Sequence, residues 1–193
     1  MGIDLIQCNY LLDGNLPEFF QFSADITSSV DPSFVKKPTL ADKIHCVAFV
    51  LDGATLDELP QRLIDKMKDF RNLCTQKHIP QAILLTKVDL IDDIVVKSIN
   101  SVLESIAVGE KVLEAAELLG IPENNIHPIK NYTTEVDLDE GINILALQAL
   151  QQMLNYAVDF MENIQQRGGN ALQNCEEKYM SESDVIEEET GTL

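Results

Sequence analysis

Apolar runs and helical stripes alternate along this chain. Ala82-Ile83-Leu84-Leu85 shows no polar alternation, the pattern of a parallel strand covered on both faces. Ile44 to Leu51 repeats it and is closed by Asp52-Gly53. Ile126-His127-Pro128-Ile129 is a third, shorter run, and its proline, which cannot donate to a ladder, assigns it to a sheet edge. Between the first two runs, Leu59, Leu63, Met67, Phe70 and Cys74 form one helical stripe, with Thr55 and Glu58 spaced as a capping box and Pro60 near the first turn. One or two helices are predicted between Asp92 and Leu119, interrupted near Val108-Gly109 and stopped by Gly120. Asp137 and Glu140 are spaced as cap and box partner of a long helix whose apolar face is Ile142, Leu145, Ala149, Met153, Ala157 and Phe160. Ile79-Pro80 and Ile121-Pro122 force extended turns into the later strands. The order predicts an α/β fold: three parallel strands in chain order, joined by right-handed crossovers, with flanking helices on both faces.

The two ends are less regular. Ile3, Ile6, Tyr10 and Leu11 predict a short amphipathic helix within residues 3–16, ended by Gly14. Residues 17–41 are turn-rich and interrupted by Pro32 and Pro38, a connection of the length that is usually a functional or a poorly ordered loop. Beyond Gln165 the chain turns polar at Arg167-Gly168-Gly169-Asn170 and ends in an acidic stretch too polar to fold alone. The expected division is a folded unit over residues 1–165 and a disordered acidic tail over 166–193.

Composition narrows the function. With 193 residues, 45% hydrophobic and 24% charged, the chain fits one domain able to bury a core. Its net charge of −18 argues against nucleic-acid and anionic-membrane partners, which are bound through excess Lys and Arg. Arg167 and Lys178 stand against seven acids in residues 166–193, a net of −5, which leaves −13 on the body. Cys8, Cys46, Cys74 and Cys175 form no C-x-x-C pair and read as small hydrophobes; His45, His78 and His127 are scattered and suggest no metal. No apolar run reaches membrane-spanning length and no secretory signal opens the chain, so a cytoplasmic protein is expected. Met1-Gly2 is followed by Ile6 where a myristoylation signal needs Ser or Thr.

The candidate chemistry lies where the central run ends, at Thr86-Lys87-Val88-Asp89. In open parallel sheets the ligand crevice lies beyond the carboxyl ends of the strands. The tetrapeptide has the form of the guanine-specificity motif of P-loop GTPases, with Thr for the more usual Asn. Guanine offers two adjacent donors, its ring N–H and its amino group, and one carboxylate, Asp89, accepts both as a fork. Lys87 would lay its aliphatic stem on the purine face, and the Thr86 hydroxyl would tie the turn to neighbouring loops. Adenine would leave Asp89 facing an acceptor. The plainer reading of Asp89 is the cap of a following helix.

The chain resembles the interferon-induced protein 44 family. The resemblance rests on Lys37-Pro38-Thr39-Leu40-Ala41-Asp42-Lys43-Ile44-His45-Cys46-Val47, on the stretch from Ile79 to Asp89, and on Pro128-Ile129-Lys130-Asn131-Tyr132. It implies a cytoplasmic, interferon-induced protein of immune and antiviral responses, and the second half of a partial P-loop GTPase-like three-layer sandwich. It also implies Thr86, Lys87 and Asp89 as base-binding residues, with Lys130 and Asn131 in the loop closing the base pocket. The departure from the family is in the phosphate site. No Gly-Lys dipeptide is present, so G-x-x-x-x-G-K-[ST] is missing, and Met1-Gly2 would match only the end of the family's Asp-x-Met-Gly switch. The expectation is a chain that starts inside that switch, lacks the phosphate loop and Mg²⁺ ligands, and is not an enzyme. It has no cofactor beyond weak guanine nucleotide. Its partner is expected to be an unidentified protein, self-association through the exposed strand edge included, with neither nucleic acid nor membrane. The competing expectation is a nucleotide-independent interaction module that uses that edge and the acidic tail. No Ser/His/Asp, Cys/His or paired-carboxylate arrangement supports other chemistry.

Overall fold

The computed structural model describes residues 5–20, 34–133 and 135–190, with side chains described as far as Arg167. Three parallel strands, β1 (Val47–Asp52), β2 (Gln81–Thr86) and β3 (Ile126–Pro128), form one sheet in the order β1-β2-β3. Val47 pairs with Gln81 and Asp52 with Thr86, while β3 joins β2 from Ile83 opposite Ile126. The central position and edge assignment follow the apolar runs. The first strand begins later than expected, at Val47 rather than Ile44. Ile44 instead donates its N–H to the Leu12 carbonyl, fastening the chain to the N-terminal helix, and the His45 ring bonds the Leu40 carbonyl of the 3-10 turn just before it.

Helix α1 (Leu5–Leu12) stops before Gly14, but its buried residues are Gln7, Cys8 and Leu12. Ile6, placed on the apolar face by its spacing, is 62% exposed. Leu12 packs with Cys74, Ile79 and Phe160 in a small cluster below the sheet, and that contact sets the rotation of the helix. Helix α2 (Gln61–Gln76) turns Met67 and Phe70 to the sheet, Phe70 meeting Phe49 edge-on at 6.0 Å, while Leu63, expected on the same stripe, is 44% exposed. The capping box at Thr55 and Glu58 does not form. Gly53–Glu58 is a 3-10 segment, and Pro60 stands just outside α2 as its N-cap.

After β2 come α3 (Asp93–Lys97), a 3-10 segment and α4 (Ile106–Leu119). The interruption falls at Ser98–Ser105, and Gly109, expected at the break, lies inside α4. Ser105 explains the shift: its hydroxyl donates to Asp92 Oδ2 and accepts from the Val108 N–H, capping α4. Gly120 ends α4 at φ +63°, a left-handed conformation costly for any residue with a Cβ.

Helix α5 (Glu140–Thr190) covers the other sheet face, with Ile142, Ala149 and Phe160 buried. Its cap is Asp139, not Asp137: Asp139 Oδ1 accepts from the Ile142 N–H at 3.0 Å. The helix continues through Gly168-Gly169, where the polar turn was expected. The division at residue 165 between a folded unit and an acidic tail therefore stands as a proposal, since the side chains beyond Arg167 lie outside the described residues. Ile3, the stretch from Gln21 to Ser33 and Cys175 also lie outside that description. Among the described residues no helix is long and apolar enough to cross a membrane.

The larger core joins Phe49, Leu51, Ile83 and Leu85 to α4 residues Val108, Ala115 and Leu119. β2 is covered on both faces, as its pattern implies, but β1 is not: Ala48 and Val50 are exposed, Val50 by 66%.

Candidate functional site

The carboxyl ends of β1 and β2 deliver the site. Asp52 and Thr86 are the paired last residues of the two strands, so the segments leaving both strands emerge side by side. Thr86 is buried and its hydroxyl donates to the Leu51 carbonyl at 2.9 Å. It thus ties the end of β2 to β1 rather than to a loop. Lys87 then adopts φ +58°, ψ +34°, a left-handed conformation uncommon outside glycine, and this turns the chain sharply into the 3-10 segment Val88–Leu90. Val88 is fully buried beneath that turn.

The Lys87 ammonium reaches sideways and pairs with Asp52 Oδ2 at 2.5 Å. That hydrogen bond is the main reason the Asp52 carboxyl is held below the usual carboxylate range; partial burial opposes it, and the Ala54 N–H and Thr55 hydroxyl assist. Among the described residues, no hydrogen bond or ion pair engages the half-buried Asp89 carboxylate. Asp89 does not cap the following helix. That position belongs to Asp92, which accepts the Ile94 N–H at 3.0 Å.

The loop after β3 supplies the opposite side. Ile129 donates its N–H to the Leu85 carbonyl, extending the pairing of β3 beside the end of β2. Lys130, its side chain only 18% exposed, pairs with Glu135 at 2.5 Å. This bond raises the lysine pKa first; burial opposes it, and the charges of Glu135, Asp89 and Asp139 add to the rise. The Asp89 charge is thus one of three acids acting on Lys130. Asn131 is exposed. The Tyr132 hydroxyl lies 3.0 Å from both the Asp139 carbonyl and Asn143 Oδ1 and accepts the Asp139 N–H at 2.8 Å, fixing this loop to the start of α5.

Thr86, Lys87, Asp89 and Lys130 are thus gathered at one end of the sheet. Sequence reasoning missed Asp52, Glu135 and Asp139. Asp52 had a usable signal: it ends the neighbouring apolar run, and parallel strands in register place it beside the residue preceding Lys87. The cysteines and histidines are placed elsewhere. Burial raises the Cys46 thiol and pushes Cys74 up to about 11, and it lowers His127. No metal-binding group of His, Cys, Asp or Glu occurs among the described residues.

The chain is similar to human interferon-induced protein 44-like, with 33% identity over 179 residues, 90% of this chain and 40% of that protein. Human interferon-induced protein 44 is 31% identical over 156 residues, 80% of this chain and 35% of that protein. The mouse protein of the same name is 31% identical over 157 residues, 80% of this chain and 37% of that protein. The chain accordingly spans well under half the length of these curated relatives. No family model and no solved structure matches it.

Proposed function

Because the chain belongs to the interferon-induced protein 44 family, we propose that it is a cytoplasmic, interferon-induced protein of the immune and antiviral response that reads a guanine base without turning nucleotide over. In this reading the three-stranded sheet is the second half of a GTPase-like domain. The observation that carries it is the division of labour at the end of β2. The Thr86 hydroxyl and the Lys87 ammonium are consumed in holding the turn, whereas the Asp89 carboxylate is left unengaged among the described residues. An unpaired, half-buried carboxylate at a strand's carboxyl end suits the two adjacent donors of guanine. Lys87 contributes its stem as a wall, since its charge is already neutralised by Asp52.

Phosphate binding lacks a counterpart in this sequence. Phosphoryl transfer is catalysed by positioning and charge neutralisation, and no G-x-x-x-x-G-K-[ST] loop is available to do either. The test is phosphate release from GTP with Mg²⁺ present. The expected rate equals that of a control without protein; release above that control, abolished by Asp89→Ala, overturns the non-hydrolysing reading.

A further inference from the structure

Asp52 lies outside the tetrapeptide, yet the turn that follows it is built against the turn that carries Asp89. Three contacts join them. The Thr86 hydroxyl donates to the Leu51 carbonyl, and the Lys87 ammonium pairs with Asp52 Oδ2 at 2.5 Å. Gly53 sits so close that a Cβ there would come within 2.9 Å of Ile91 Cδ1 and 3.1 Å of the Thr86 carbonyl oxygen. The Asp52 carboxylate is itself fixed. Its Oδ1 accepts the Ala54 N–H at 3.0 Å and the Thr55 hydroxyl bonds the same group, so Lys87 meets a stationary target.

Lys87 starts from a left-handed backbone just after β2, and its ammonium ends at the last residue of β1. Paired strands lie about 4.8 Å apart, so the four methylenes of Lys87 are laid across the gap between the two strand ends. Order in that stem matters to a ligand. A free lysine gives up rotamer freedom when a ring packs on it, which weakens binding by about threefold to tenfold, whereas an anchored one has given it up already. Resting on the guanine reading above, we propose that Asp52 is a positioning residue of the base site, one that never touches the base but holds the Lys87 stem stretched as a preformed platform for the purine face. The two acids then divide the work. Asp89 distinguishes guanine by the donors on its edge, whereas Asp52, acting through Lys87, sets how firmly any purine is held. With Lys87 52% exposed and Asp52 28%, their ion pair adds little to folding, which leaves variants of either residue folded.

The test is a titration of the full chain with guanosine monophosphate and with inosine monophosphate, which lacks the exocyclic amino group. Backbone amide shifts of Thr86 to Asp89 report binding in the parent, Asp52→Asn, Lys87→Met, their double variant and Asp89→Asn. Asp52→Asn should weaken both nucleotides by the same factor, about threefold to tenfold, and keep their ratio, which Asp89→Asn should collapse. Lys87→Met should match Asp52→Asn, and the double variant should be no weaker than either, since both remove one anchor. Without nucleotide, the Lys87 methylenes should relax as an ordered group in the parent and as a mobile one in Asp52→Asn. Circular dichroism checks that each variant is folded. Absence of any shift with guanosine monophosphate in the parent overturns the guanine reading, and this inference with it. Where the parent binds, the inference alone is overturned by equal or tighter binding in Asp52→Asn, or by an altered nucleotide ratio there. Losses that multiply in the double variant, or a Lys87 side chain as mobile in the parent as in Asp52→Asn, overturn it equally.

Discussion

Asp89 and Thr86 stand three positions apart and do opposite work. Thr86 is spent on structure. Its hydroxyl gives the Leu51 carbonyl a second hydrogen bond, beside the strand pairing, in a buried setting, so Thr86→Val should cost about 1 kcal/mol by removing that bond. Urea unfolding at neutral pH measures this, and an unchanged midpoint would show that the bond contributes nothing. In the proposed reading Asp89 serves recognition. Asp89→Asn keeps the shape but replaces one acceptor oxygen with a donor, so it should abolish the preference for guanosine over adenosine while leaving the unfolding midpoint within about 0.5 kcal/mol of the parent. A variant that loses stability instead would place Asp89 in the scaffold.

At the scale of elements, the site depends on two strand ends held level and on a loop pinned to α5. Asp52 and Lys87 form the first brace. The Asp52 pKa is lowered in the folded chain, so the stabilisation it brings is present above the unfolded carboxylate value and is lost as pH falls through the depressed value. Melting curves should show Asp52→Asn less stable than the parent at pH 7 and the two converging in the acid range below the usual carboxylate pKa. A gap that persists unchanged at low pH would contradict the ion pair as its source. The second brace is the start of α5. Gly141 packs so closely on Ile99 and Asn100 that a Cβ there has no space, so Gly141→Ala should destabilise by about 1–3 kcal/mol through displacement of α5. An unchanged melting temperature would show that the contact yields freely.

The strands, their order and the stripes of α2 and α5 were legible in the sequence, because apolar runs and Ile-Pro junctions depend on short-range pattern alone. Caps were less so. Asp52, Ser105 and Asp139 took the positions expected for Thr55, Val108-Gly109 and Asp137, each through a partner distant in sequence or a turn that periodicity does not record. The rotation of α1 escaped the pattern for a similar reason: Leu12 is turned inward by its packing with Cys74 of α2 and Phe160 of α5, partners that the spacing within α1 does not record. Within the site, the tetrapeptide revealed which groups were present, but only the strand register showed that Asp52 neutralises Lys87.

For the whole molecule, the proposal joins a folded unit over residues 1–165 to an acidic tail. Hydrogen exchange should find the slowest amides at Ile83, Leu84 and Leu85, in the middle of the sheet, and little protection beyond Gly168; equal protection in both regions would extend the folded unit through the tail. The proposed guanine reading without a phosphate grip sets how the molecule should treat nucleotides. A base pocket partly open to water should bind on the order of 1 mM, about −4 kcal/mol, and the net charge of −18 adds only a screened repulsion against phosphates. The most direct test is therefore a titration of guanosine, GDP, GTP and adenosine, monitored through the backbone amide shifts of Thr86 to Asp89. Guanosine, GDP and GTP should move these amides with nearly equal, weak affinity, and adenosine should move them less. Tight, Mg²⁺-dependent preference for GTP, or no shift with any of the four, would contradict base recognition without phosphate binding.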